Sequence, residues 1–159
     1  GGQRNERKKW IQLFDGVNSI VFVAALNHYA SRLFENETQN ALEESMQLFD
    51  EICNARWFRR TEIVLLLTKK DLFKQRLKDG ISLKTCFDHY QGPEIIDDNE
   101  EKNKENDKLE ECYQFGLKFI QNEFKELNRN PYKTVNVHLV DTNNRDNVEK
   151  VWKEVSKIA

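Results

Sequence analysis

Cysteine and histidine are scarce in this chain, with three of each in 159 residues. Cys53, Cys86 and Cys112 are odd in number and far apart, so they form neither a disulfide framework nor a zinc-binding spacing. Such sparse use points to a reducing compartment. His28, His89 and His138 are scattered and make no metal set or nucleophilic triad in the sequence. Charge of one sign is lacking as well. The 25 Lys and Arg nearly balance 27 Asp and Glu, which excludes a broad basic surface for nucleic acid. No apolar run approaches the roughly 20 residues that cross a bilayer. Arg4 places a charge at the very start, which fits no secretory signal. Also missing is Gly-x-x-x-x-Gly-Lys-Ser/Thr, the loop that cradles phosphates with backbone amides. The length suits one domain with a substantial core.

Three short apolar runs are present, at 19–26, 63–67 and 135–140. Strands that are apolar throughout are buried on both faces, as in parallel sheets covered by helices. The segments between them read as helices. One spans 36–54, with Asn36 as a candidate N-cap and Gln39 three residues on. Ala41, Ser45, Leu48 or Phe49, and Ile52 repeat at helical spacing and face the sheet, with Cys53 as a small core residue. A second helix spans 109–127 and carries Cys112, Phe115, Phe119, Ile120 and Phe124. A third, 147–159, carries Val148, Val151, Trp152, Val155 and Ile158. This alternation predicts an α/β fold, an open and mostly parallel sheet with helices on both faces. Residues 97–111 break the pattern with eight acidic and three basic residues and almost nothing apolar. Burial there cannot offset the ordering entropy, so a solvated loop is expected, leading into a helix that starts near Leu109.

In open α/β sheets, ligands bind beyond the carboxyl ends of the strands. The second run is followed by Thr68-Lys69-Lys70-Asp71-Leu72 and the third by Asp141-Thr142-Asn143. A carboxylate at Asp71 can accept two hydrogens side by side, which matches the N1–H and exocyclic amine of guanine. It is equally suited to N-cap the next helix. The Lys69 stem can lie over a flat base with its ammonium in water, and Lys70 is expected to point to solvent. The chain opens on Gly1-Gly2-Gln3. A glycine N–H there can approach a phosphate oxygen, and a glutamine amide can hold a water by donor and acceptor together. All three segments are expected to converge on one rim.

These segments resemble heterotrimeric G-protein alpha subunits. Residues 1–11, Gly-Gly-Gln-Arg-Asn-Glu-Arg-Lys-Lys-Trp-Ile, are similar to that family's switch II. Residues 42–54, Trp57-Phe58 and 68–73 resemble further family blocks in the family's order, and 141–144 with Asn147-Val148 stand where its last base-binding loop enters the final helix. The resemblance covers the chain apart from the acidic stretch. It implies that residues 1–159 are the C-terminal part of a Ras-like P-loop GTPase domain, with an acidic insertion at about 97–111. It also implies binding of GTP and GDP with Mg2+, whose ligands fall outside this segment, and hydrolysis of GTP. Gly2 matches the glycine that meets the γ-phosphate and Gln3 the glutamine that orients the attacking water. Thr68, Lys69, Asp71, Leu72 and Thr142 match base-contacting positions. Arg7 and Glu44 match a pair that locks switch II. Lys8, Lys9, Trp10 and Phe14 match the surface shared by the beta-gamma dimer and effectors, and Trp57 and Phe58 part of the effector groove. Implied partners are the beta-gamma dimer, a G-protein-coupled receptor, downstream effectors and RGS-type regulators, at the cytoplasmic face of the plasma membrane.

The sequence also departs from the family. Thr68 stands where Asn is usual, which removes an amide contact. Val140-Asp141-Thr142-Asn143 replaces Thr-Cys-Ala-Thr, and an acid beside the base carbonyl predicts altered nucleotide affinity or exchange. The phosphate loop, the arginine-bearing switch I and the helical domain are not in these residues, so the segment alone is expected to bind GTP weakly or not at all. A second reading stands beside the GTPase, namely a partner-binding scaffold of the same family with degraded nucleotide binding.

Overall fold

The computed structural model describes residues 4–14, 16–95 and 102–157. Three strands, β1 (Ser19–Ala25), β2 (Glu62–Thr68) and β3 (Val135–Leu139), pair in parallel in that order. The register sets Ala25 beside Thr68 and Leu67 beside Leu139, so the three carboxyl ends share one edge of the sheet. Among the described residues five α-helices accompany them: α1 (Arg4–Ile11), α2 (Ala41–Cys53), α3 (Lys70–Lys78), α4 (Lys102–Glu126) and α5 (Arg145–Ser156). The architecture is the expected α/β one, a parallel sheet with helices on both faces.

The two faces are built differently. On one, Phe22, Ala24, Ile63, Leu65 and Leu67 join a continuous core with Leu42 and Phe49 of α2, Phe73 and Leu77 of α3, and Ile120 and Phe124 of α4. Phe49 stands edge-on to both Phe22 and Phe124, with ring centroids 5.3 Å apart in each pair. Such edge-to-face pairs add about 0.5–1.5 kcal/mol each beyond area burial. On the other face, Val151 and Val155 of α5 pack on Val64 and Val140, with Leu66 at the margin. Central β2 is buried on both faces, as its unbroken apolar run predicts. At the edge of the described sheet, Val21 and Val23 of β1 are 38% and 59% exposed on the α5 side.

Four helix expectations need correction. The first helix starts at Ala41, not at 36. Asn40 is its N-cap, and its side-chain oxygen accepts from the N–H groups of Leu42 and Glu43 at 2.9 and 3.2 Å. Asn36 instead closes a local turn, accepting from the N–H and hydroxyl of Thr38 at 3.1 and 2.6 Å. The acidic stretch is helical from Lys102 onward, well before Leu109. Buried Leu109, Cys112 and Tyr113 anchor α4, and extending a nucleated helix through Lys and Glu, both good helix formers, costs little. Phe115 is off the buried stripe and 47% exposed, because the buried positions Leu109, Cys112, Leu117, Ile120 and Phe124 step past it. The last helix begins at Arg145, and its Val148 and Trp152 are 39% and 63% exposed.

Helix α3 ends in a two-bond cap. Gly80 has φ +80, its N–H donates to Leu77 O at 3.0 Å, and the N–H of Ile81 donates to Arg76 O at 3.1 Å. At the amino end of the sheet, Lys133 is 7% exposed and donates from Nζ to the carbonyls of Cys53 at 2.7 Å and Phe58 at 3.0 Å. Burial draws the Lys133 ammonium below the usual lysine range. Its hydrogen bonds satisfy the last carbonyl of α2, where a cation also complements the helix dipole.

Candidate functional site

Two loops meet at the carboxyl edge. The first joins β2 to α3 in a single residue, Lys69, whose backbone is left-handed with φ 62 and ψ 37. It is the one non-glycine residue with positive φ among the described residues. That conformation costs an L-residue about 1–2 kcal/mol, and such outliers cluster where a site needs them. The sharp reversal sets Asp71 in the first turn of α3, where the helix dipole favours a carboxylate. Asp71 is exposed, and its carboxylate has no hydrogen-bond partner among the described residues. Lys69, not Asp71, occupies the N-cap position, and it makes no side-chain cap. Thr68 is 7% exposed, and its hydroxyl reaches Ala24 O at 3.5 Å, tying the ends of β1 and β2.

The second loop follows β3. The N–H of Val140 donates to Leu67 O at 2.8 Å, which carries the ladder one residue further and fastens this loop to the end of β2. Residues 141–144 then turn, with the Asn144 N–H donating to Asp141 O at 3.1 Å. Asn147 accepts the Asp141 N–H at 2.8 Å and donates its own N–H to the Asn144 side chain at 3.1 Å, which caps α5. Thr142 is exposed at the tip of this turn. Lys70 does not point away to solvent: its Nζ is 3.7 Å from Asp141 Oδ2. Burial, followed by the charges of Glu110, Asp71 and Asp141, raises the Tyr113 pKa. Both rim acids therefore lie within electrostatic reach of one ring. The edge thus brings Thr68, Lys69 and Asp71 together with the loop bearing Thr142. Leu72 is 45% exposed next to Asp71.

Gly1, Gly2 and Gln3 lie outside the described residues, as does the side chain of Lys8. Arg7 is described. Its Nη2 donates to Glu44 Oε1 at 2.6 Å, with the two side chains 22% and 13% exposed. A charge-assisted bond with this much burial is stronger than a surface pair. The other oxygen of Glu44 accepts from Gln39 Nε2 at 2.9 Å, and that nitrogen also lies 3.2 Å from Gln47 Oε1. Sequence reasoning placed Gln39 only in a helix start and missed this contact. Helix spacing carries no signal for it, since Gln39 precedes the helix and reaches across from the loop before α2.

Between α1 and α2 lies an apolar cleft of about 430 Å³ lined by Trp10, Ile11, Phe14, Leu48, Ile52 and Phe58 among others. Trp10 and Phe14 are 45% and 54% exposed at its mouth, whereas Phe58 is 2% exposed and forms its floor. Phe58 is therefore a core residue with little surface to offer. Trp57 lies apart from this cleft, beside Ile11 and Glu51, with the Arg56 guanidinium 4.3 Å from its ring centroid. Lys9 is exposed on α1. Among the described residues no three His, Cys, Asp or Glu side chains are grouped to hold a metal ion.

Residues 1–159 match the family model described as G-protein alpha subunit. The chain is 41% identical over 155 residues to the guanine nucleotide-binding protein alpha-3 subunit of Caenorhabditis elegans, a match covering 98% of this chain and 39% of that protein. It is 41% identical over 155 residues to the alpha-2 subunit of the same organism, covering 98% and 38%. With the G(o) subunit alpha of Lymnaea stagnalis it shares 36% identity over 158 residues, covering 99% and 40%. The chain thus spans about two-fifths of the length of these curated relatives. It belongs to the G-protein alpha subunit family.

Proposed function

We propose that the full-length protein carrying this chain, as a member of that family, binds GTP and GDP, hydrolyses GTP, and relays a signal from a membrane receptor to effectors as the alpha subunit of a heterotrimeric G protein. The observation that carries this reading is the shared rim: exposed Asp71 beside left-handed Lys69, with the 141–144 loop fastened to the same strand end. In this reading the Asp71 carboxylate accepts the two donors of guanine and the Lys69 stem covers the base. Leu72 and Thr68 border the base, and the exposed turn offers the Thr142 backbone N–H to the guanine oxygen. Gly2 meets the γ-phosphate, and Gln3 orients the attacking water, a task of positioning that needs no strong base.

Arg7 and Glu44 act as a latch between the mobile α1 and the fixed α2, a two-state contact of the kind that switching proteins use. Lys8, Lys9, Trp10 and Phe14 offer the surface for the beta-gamma dimer, effectors and RGS-type regulators, with Trp57 at its border. The site of action is the cytoplasmic face of the plasma membrane. A scaffold reading draws on two observations: the Thr68 hydroxyl is turned to Ala24 O at 3.5 Å, and an acid stands at 141.

The two readings part in one set of measurements on the full-length protein. Asp71→Asn is expected to lose guanine-over-adenine preference by about ten- to hundredfold, the worth of hydrogen bonds to a charged group. Competition of a fluorescent GDP analogue by ADP measures it, and unchanged preference overturns the base assignment. Gln3→Leu is expected to slow single-turnover hydrolysis by about tenfold or more while GTP still binds. Equal rates in mutant and parent, or no turnover in the parent, favour the scaffold.

A further inference from the structure

The turn that follows β3 opens on an acid, Asp141. In the structure this acid meets Lys70, the first residue of α3, at 3.7 Å. Resting on the nucleotide-binding reading above, we propose that Lys70 and Asp141 form a clasp across the two base-binding loops that governs how long a guanine nucleotide stays bound.

An unpaired carboxylate beside the guanine oxygen repels it. Both oxygens of Asp141 are engaged, however. Oδ1 accepts the Asn143 N–H at 3.0 Å and Oδ2 faces the Lys70 ammonium. The side chains of the pair are 33% and 21% exposed, so water and salt screen it less than a fully exposed pair. The charges around it leave it intact. Lys74, one turn along α3, is taken by Glu110 of α4 at 2.5 Å, and Asp71 has no ion-pair partner among the described residues. Lys70 thus balances Asp141 and leaves the Asp71 carboxylate available to the base. The backbone bond from Val140 to Leu67 O holds the roots of the two loops, and the clasp holds them further out. A nucleotide enclosed between the loops leaves only when they part, and parting them separates the two charges. Lys70 and Asp141 are positioning residues in this scheme, since neither needs to touch the nucleotide.

The test uses the full-length protein loaded with a fluorescent GDP analogue and chased with unlabelled GDP. Lys70→Met and Asp141→Asn keep side-chain size and, in the second, an acceptor for the Asn143 N–H. Each is expected to release the analogue about two- to fivefold faster at low salt, the range of a partly exposed ion pair. The double variant is expected to be no faster than either single one, as coupled sites require. The difference should fade near about 0.5 M salt, and Lys70→Asp combined with Asp141→Lys should restore slow release. A merely structural brace would lower the thermal midpoint without this salt dependence or rescue. Unchanged release, additive single effects, or slower release in Asp141→Asn overturns the clasp while leaving the nucleotide reading in place. Failure of the parent protein to take up the analogue overturns both.

Discussion

The two faces of the sheet use strands of similar composition to opposite ends. The face toward α2, α3 and α4 is a deep aromatic and aliphatic core in which Phe49, Leu65 and Phe124 are fully buried. The face toward α5 rests on four buried residues, Val64, Val140, Val151 and Val155. Beside them Val21 and Val23 remain 38% and 59% exposed, and β3 contributes Asn136 and His138, the latter 3.4 Å from Glu154 of α5. Apolar sequence is necessary for burial, but the opposing element decides whether burial follows. The deep face anchors the two rim loops from below, because Phe73 of α3 and Tyr113 of α4 are both part of it. The thin face holds them only through α5.

Substitutions on the two faces are expected to differ in cost. Phe49→Ala, which empties the meeting point of Phe22 and Phe124, is expected to destabilise by about 3–5 kcal/mol, measured by urea unfolding. A loss under about 1 kcal/mol there would mean that the deep face is not the main source of stability. Val151→Ala removes two methyl groups from the thin face and is expected to cost about 1.5–2.5 kcal/mol. If it matched Phe49→Ala, the faces would be energetically equivalent and the distinction false. Val23→Thr, on the exposed margin of the same face, is expected to stay within about 0.5 kcal/mol of the parent. A cost above about 1 kcal/mol would show that Val23 is covered in solution, and would place the boundary of the thin face further out.

Much of this was legible in the sequence. The three strands are readable to within a residue or two because β-branched and Leu-rich runs bounded by polar residues have few alternatives. The rim loops were legible because the ends of parallel strands, once placed, fix where ligand contacts fall. What escaped was set by contacts distant in the chain. Asn36 and Asn40 are equally good caps on paper, and Asn40 is chosen because its amide also donates to the Tyr29 carbonyl at 2.6 Å, which no local window can see. The helical state of 102–108 depends on anchoring further along α4. Phe58 reads as a surface aromatic next to Trp57, yet the 3₁₀ turn Arg56–Phe58 sends neighbouring rings to different environments. The Lys70–Asp141 pair bridges residues far apart in sequence, and a lone lysine after Lys69 gives no hint of its partner.

Lys133 gives α2 the character of a lever with a fixed fulcrum. Its ammonium grips the carbonyl of Cys53 and the neighbouring turn at Phe58, while Asn54 ties the same end to the Leu127 carbonyl at 2.8 Å. The opposite end of this rod carries Glu44 and its grip on Arg7. Glu44 thus meets Arg7 from a rod riveted at its far end, so α1 docks on an anchored acid.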